Sequence, residues 1–173
     1  MRADVNAVSD TGSTPLRSAC LLSYFDIVKL LVENGADIHK YNENGSTPLM
    51  NSIQSVKLCN YLLNLGASVN EQDVFSKTAL YYAIQEGKLE TVKLLLNFNA
   101  NPFLVTKDGD DALQTACLFT EEEIFDFLKS HYSLDRVASA YELMGCIHTS
   151  PRTKISGPGS WFTPGFFPGV GYP

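Results

Sequence analysis

The side chains that could do chemistry in this 173-residue chain are few and scattered. The cysteines are Cys20, Cys59, Cys117 and Cys146, and the histidines are His39, His131 and His148. A zinc site needs Cys and His at short, recurring spacings, and a dithiol redox site needs a C-x-x-C pair. Neither pattern occurs, so no metal and no cofactor is expected. The run Glu121-Glu122-Glu123 has the residue type of a general acid, but it stands where a helix should begin, and carboxylates there stabilise the helix N-terminus. No G-x-S-x-G elbow, phosphate loop, H-E-x-x-H helix or G-x-G-x-x-G turn is present. Cys20, Cys59 and Cys117 read as small buried hydrophobes. Asn44-Gly45-Ser46 matches a glycosylation sequon, yet the same residues serve a repeated turn. The chain reads as a non-enzyme.

What positions these residues is a repeat. Thr14-Pro15-Leu16 recurs as Thr47-Pro48-Leu49, Thr78-Ala79-Leu80 and Asp111-Ala112-Leu113, at steps of 33, 31 and 33 residues. A second landmark keeps phase: Ala3-Asp4-Val5-Asn6, Ala36-Asp37-Ile38-His39, Ala67-Ser68-Val69-Asn70 and Ala100-Asn101-Pro102-Phe103. A hydroxyl or carboxylate at Thr14, Thr47, Thr78 and Asp111 suits a helix N-cap, and proline suits the position after it. Asn34-Gly35 and Leu65-Gly66 read as left-handed helix stops. Each unit is therefore a turn, a short helix, a tight bend, a longer helix and a loop. The second unit is two residues short, so its bend near Gln54-Ser55 should be clipped.

Length and landmarks resemble the ankyrin repeat, whose T-P-L-H-x-A pattern has the same period. Its histidine is replaced here by Arg17, Met50, Tyr81 and Gln114. The fold expected is an all-α ankyrin solenoid. Residues 1–11 are a remnant of a preceding repeat, and 12–132 hold four repeats (12–44, 45–75, 76–108 and 109–132). A helix follows over 133–146. Residues 147–173 form a Pro/Gly/aromatic-rich tail expected to be disordered, since from Pro151 onward lie five of the eight prolines and five of the twelve glycines.

A net charge of −6 argues against a nucleic-acid partner. No apolar run reaches the roughly 18 residues that a membrane span needs. The polar N-terminus is unlike a secretory signal, so a cytoplasmic or nuclear place is expected.

Solenoids bind partners on a concave face lined by loop tips and first helices. Repeat phase assigns that face. Asp10, Thr11, Ser13, Arg17, Leu21 and Leu22 come from the first unit and its approach, and Glu43, Asn44 and Ser46 from the second. Val74, Phe75, Lys77, Tyr81, Gln85 and Glu86 follow, then Lys107, Asp108, Asp110, Leu118 and Phe119. Whether Leu21, Leu22, Leu118 and Phe119 face solvent or pack into the bends is open at this level. The partner expected is a protein or peptide.

A narrower resemblance lies at both ends of the block. Ser13-Thr14-Pro15-Leu16-Arg17-Ser18-Ala19-Cys20, then Phe25-Asp26-Ile27-Val28-Lys29, is similar to a stretch of the feminization (Fem) family. Arg136-Val137-Ala138-Ser139-Ala140-Tyr141-Glu142-Leu143-Met144-Gly145 resembles that family's helix after its ankyrin block. The resemblance implies a substrate receptor of a cullin–RING ubiquitin ligase that captures a substrate's C-terminus, often one ending in arginine. Elongin and cullin would dock through segments this chain does not contain, so it reads as a fragment or truncated form. In the family an aspartate after the first-helix Cys belongs to the arginine pocket; Leu22 stands there instead, which implies weak binding of arginine-ended peptides. The alternative is an ankyrin scaffold with no ubiquitin link.

Overall fold

A computed structural model of the chain describes residues 4–131. The helix expected over 133–146 and the tail over 147–173 lie outside the described residues. Eight helices occur among the described residues: α1 (Pro15–Leu21), α2 (Phe25–Glu33), α3 (Pro48–Asn51), α4 (Val56–Asn64), α5 (Ala79–Gln85), α6 (Leu89–Asn97), α7 (Ala112–Leu118) and α8 (Glu122–His131). No strand is found among them.

The caps are those the residue types call for. The side chains of Thr14, Thr47 and Thr78 accept from the backbone N–H of Arg17, Met50 and Tyr81, and Pro15 and Pro48 open their helices. Asp111 and Gln114 cap reciprocally, each side chain bonding the other's backbone at 2.8–2.9 Å. The open N–H groups of a helix start are satisfied this way, at about 1 kcal/mol per cap. Helices α2 and α4 end at Gly35 (φ 89°) and Gly66 (φ 91°). Glu122 and Glu123 lie in the first turn of α8, as their charge favours.

The clipped bend of the second unit is visible. The hinges after α1, α5 and α7 pass through a left-handed residue, Ser23 (φ 58°), Gly87 (φ 65°) and Thr120 (φ 56°). The four-residue α3 reaches α4 without one.

Short helices α1, α3, α5 and α7 pack as one layer against the longer α2, α4, α6 and α8. Leu16, Leu49, Leu80 and Leu113, the third residue of each cap motif, are all buried. So are Leu62, Leu95 and Leu128 of the longer helices. Each such leucine contributes about 2 kcal/mol of apolar burial. The Thr91 hydroxyl donates to the Ile53 carbonyl at 3.0 Å across the buried seam between the second and third units.

The first unit is the exception. Ile27 is 47 % exposed, whereas its counterparts Leu58, Thr91 and Ile124 are at most 1 % exposed. The described residues before the first unit, 4–11, form a loop and a turn that reach it through Asn6, which bonds Gly35 O and Asp37 N–H.

Candidate protein-interaction surface

Each unit is preceded by a projecting finger, a tight turn closed by its own first residue. The N–H groups of Ser9, Asn42, Asp73 and Thr106 donate to the carbonyls of Ser13, Ser46, Lys77 and Asp110 at 3.0–3.2 Å. The same side chains also accept bonds. Asn42 Oδ1 takes the N–H of Asn44 and Ser46, Asp73 Oδ1 takes those of Phe75 and Lys77, and Thr106 Oγ1 takes those of Asp108 and Asp110. Reading the sequence for helix signals passes over these four residues. The available signal was a short polar residue a fixed step before each turn, the side-chain-capped turn that Asx and Ser/Thr residues form.

Successive fingertips are bonded to one another. Glu43 N–H donates to Thr11 O at 3.4 Å, Val74 N–H to Asn44 O at 3.0 Å, and Lys107 N–H to Phe75 O at 3.1 Å. The expected tip residues therefore form one continuous row. Along it Asp10, Thr11, Glu43, Asn44, Val74, Phe75, Lys107 and Asp108 are exposed, while Ser13, Ser46, Lys77 and Asp110 are half-buried.

The helical part of the surface falls into two clusters. At the first unit, Leu21 and Leu22 are 60 % and 58 % exposed, so they face water rather than filling the bend. Beside them the Arg17 guanidinium donates from Nη1 to Ser13 Oγ at 2.7 Å, and its Nε is buried without a partner. Burial pulls the Arg17 guanidinium below its ordinary value.

The second cluster joins two units. Lys77 Nζ sits 4.5 Å over the Tyr81 ring and 5.8 Å from that of Phe75. Phe119 meets the other side of this group, its ring centroid 6.2 Å from that of Tyr81 in an edge-to-face contact. Cation–π contacts at such open positions contribute about 0.5–1 kcal/mol. Phe119 is thus half-buried by packing, unlike Leu118, which is exposed. Gln85 is half-buried, and Glu86 accepts from Gln54 Nε2 at 3.4 Å. Burial raises the Asp110 carboxyl above the usual carboxylate range, and Asp108 and Asp111 add to that against the opposing pull of Lys77. Between the clusters, the second unit places Met50 in the core rather than on the surface.

The thiols stay out of this surface. Cys20 and Cys59 are fully buried and free. Burial, then Cys59, pushes the Cys20 thiol to about 12; burial pushes Cys59 to about 11, partly offset by the Ser52 hydroxyl. Burial of this kind makes a thiol a poor nucleophile. Cys117 corrects the expectation of a buried hydrophobe: it is half-buried, next to the last residue of α7. No three His, Cys, Asp or Glu side chains come together as a metal site among the described residues, and no described helix is long and apolar enough to cross a membrane.

Stacked helical hairpins with bonded fingers have a counterpart among known sequences. A family model described as ankyrin repeats in three copies matches residues 1–73 and 54–137. The chain belongs to the ankyrin-repeat family. It is 31 % identical over 139 residues, 76 % of the chain, to tyrosine-protein kinase HTK16 of Hydra vulgaris, and covers 18 % of that protein. It is 36 % identical to human ankyrin repeat and SOCS box protein 6 over 56 % of the chain and 25 % of the relative. It is also 36 % identical to a rice protein (Oryza sativa subsp. japonica) named probable E3 ubiquitin-protein ligase XBOS34, over 53 % of the chain and 19 % of the relative. The chain spans no more than a quarter of the length of these three relatives. What an ankyrin-repeat stack provides is a scaffold for protein–protein interaction.

Proposed function

We propose that this ankyrin stack is the substrate-recognition part of a cullin–RING ubiquitin-ligase receptor of the Fem type. The observation that carries protein recognition is the bonded row of fingertips, with Phe75 exposed on it and Leu21, Leu22 and Leu118 exposed at the ends of α1 and α7. Contiguous apolar side chains left in water mark an interface. The ubiquitin link is supported by the Fem-like residues 13–29 and 136–145 and by the names of two relatives. Leu22, exposed beside Arg17, offers an apolar contact where the Fem pattern places a carboxylate, so the substrate class is one without a terminal arginine.

Affinity purification of the tagged product of the complete gene from its own cells tests this. Elongin and a cullin should copurify. A bound protein partner without either would sink the ligase reading and leave an ankyrin scaffold, the second reading, which the fingertip row supports equally.

A further inference from the structure

The loops that leave α2, α4 and α6 are built alike. Gly35 (φ 89°), Gly66 (φ 91°) and Asn99 (φ 62°) all take the left-handed turn. Their N–H groups donate at 3.0 Å to the carbonyls of Val32, Leu63 and Leu96. Those of Ala36, Ala67 and Ala100 donate at 2.9–3.0 Å to Leu31, Leu62 and Leu95. Each loop thus offers the same pair of backbone groups: the carbonyl of its left-handed residue and the N–H two residues on.

In the outer two of these loops an asparagine side chain takes both groups. Asn6 bonds Gly35 O at 3.0 Å and the Asp37 N–H at 2.8 Å. Asn70 bonds Asn99 O at 3.2 Å and the Asn101 N–H at 2.7 Å. The middle loop has no such side chain. Gly66 O and the Ser68 N–H have no hydrogen-bond partner among the described residues, and both residues are exposed. His39 stands where the asparagine would, beside an open cleft of about 150 Å³ lined by Ile38, Tyr41, Ser68 and Glu71. One water needs about 10–15 Å³, so a group of several heavy atoms fits.

A carboxamide answers this pair because its oxygen and one N–H point the same way. A carboxylate has no donor for Gly66 O, and an ammonium has no acceptor for the Ser68 N–H. The protein itself fills two copies of the clamp with asparagine and leaves the third open. Free small molecules are held in pockets that bury most of their surface, whereas an open cleft suits a side chain anchored elsewhere. The cleft shares no residue with the fingertip row, so this contact is independent of that surface.

We propose that the loop from Gly66 to Ser68 is a binding site for the side-chain carboxamide of an asparagine on a partner protein. The amide oxygen accepts the Ser68 N–H, and the amide nitrogen donates to Gly66 O. Tyr41, 65 % exposed, stands at the rim to meet the adjoining partner residue.

The test follows the Ser68 N–H by NMR in the isotope-labelled chain during titration with a blocked tripeptide, Ala-Asn-Ala. The peptide is N-acetylated and closed by a methylamide, so its side chain is its sole primary amide. Two hydrogen bonds make a weak contact, so the titration runs to about 100 mM. The Ser68 signal should move downfield and saturate. Asp or Ala in place of the peptide's Asn should weaken the response about tenfold. His39→Asn, which supplies the amide from within, should abolish it while the rest of the spectrum is retained. An Ala peptide as effective as the Asn peptide would mean that partner backbone pairs with the loop. Acetamide as effective as the Asn peptide would make a free small amide the ligand. Either result overturns the asparagine assignment, as does a Ser68 response that survives in His39→Asn, or the absence of any response to the Asn peptide.

Discussion

The Tyr82 hydroxyl donates to Asp73 Oδ2 at 2.5 Å, tying helix α5 to the finger before it. The other oxygen of Asp73 already holds the N–H groups of Phe75 and Lys77. One carboxylate thus closes the finger and bolts it to the helix. Burial, then the bond to Asp73, holds the Tyr82 phenol far above its ordinary value, so it remains a donor. The positions of Phe75 and Lys77 on the candidate surface follow from this bolt.

Tyr82→Phe should therefore lower unfolding stability by about 1.5–3 kcal/mol, the range for a hydrogen bond to a charged group. Asp73→Ala, which also opens the finger, should cost more. Urea denaturation followed by circular dichroism reads both. A Tyr82→Phe midpoint equal to the parent's would mean that the finger is held by its own turn alone.

Much of this architecture is legible in the residues because each cap and stop has its own chemistry. Thr14, Thr47, Thr78 and Asp111 cap where hydroxyls and carboxylates should, and the two missing residues of the second unit shorten its bend. The left-handed positions are only half legible. Gly12, Gly45 and Gly109 mark the fingers, but the third uses Ser76 at φ 59°, and Asn99 at φ 62° replaces the glycine of the loop. There the surrounding hydrogen bonds, not glycine's freedom, hold the conformation. The surface is legible to the extent that it follows repeat phase. Phe119 was beyond reach because its partner Tyr81 belongs to another unit, and so was Arg17's isolation, which depends on what fails to approach it.

Asp110 gives a pH signature. Its folded-state pKa is raised, so the native chain holds this proton where the unfolded chain has lost it. The favourable contribution exists below the unfolded carboxyl value and disappears as pH rises through the folded one. At neutral pH the ionised group, facing Asp108 and Asp111 with Lys77 opposing, disfavours the fold. Asp110→Asn should melt higher than the parent at pH 7, and the two should converge once the solution is acidified below the carboxylate range. A parent that melts higher at pH 7 would contradict this.

The exposed Ile27 predicts uneven stability along the stack. Repeat arrays gain stability from neighbour interfaces, and the described residues before the first unit, 4–11, form only a loop and a finger. Amide exchange from Thr14 to Cys20 should be faster than from Thr78 to Ala83. Ile27→Gln should cost under about 1 kcal/mol, whereas Leu58→Gln in the same slot should cost about 3 kcal/mol or more. Equal protection in the two segments would show that residues 4–11 serve as a full cap.

The last prediction concerns a clamp that one unit lacks. Asn6 donates from Nδ2 to Gly35 O at 3.0 Å and accepts the Asp37 N–H at 2.8 Å, locking its loop to the next. Asn70 does the same with Asn99 O at 3.2 Å and Asn101 N–H at 2.7 Å. In the first unit the position is His39, whose imidazole makes neither bond, and an open cleft lined by Ile38, His39, Tyr41, Ser68 and Glu71 lies there instead. The donor and acceptor of an imidazole point away from each other, whereas an amide's oxygen and N–H point the same way and can clamp one loop. The groups left waiting, by register, are the Gly66 carbonyl and the Ser68 N–H. His39→Asn should close the clamp for about 1–2 kcal/mol, which for a stack of this size raises the melting temperature by about 3–6 °C. Asn6→His should lose a similar amount. If His39→Asn melts no higher than the parent, the loops of the first and second units are held apart by something other than the missing amide, and the two-residue deletion in the second unit becomes the cause to test.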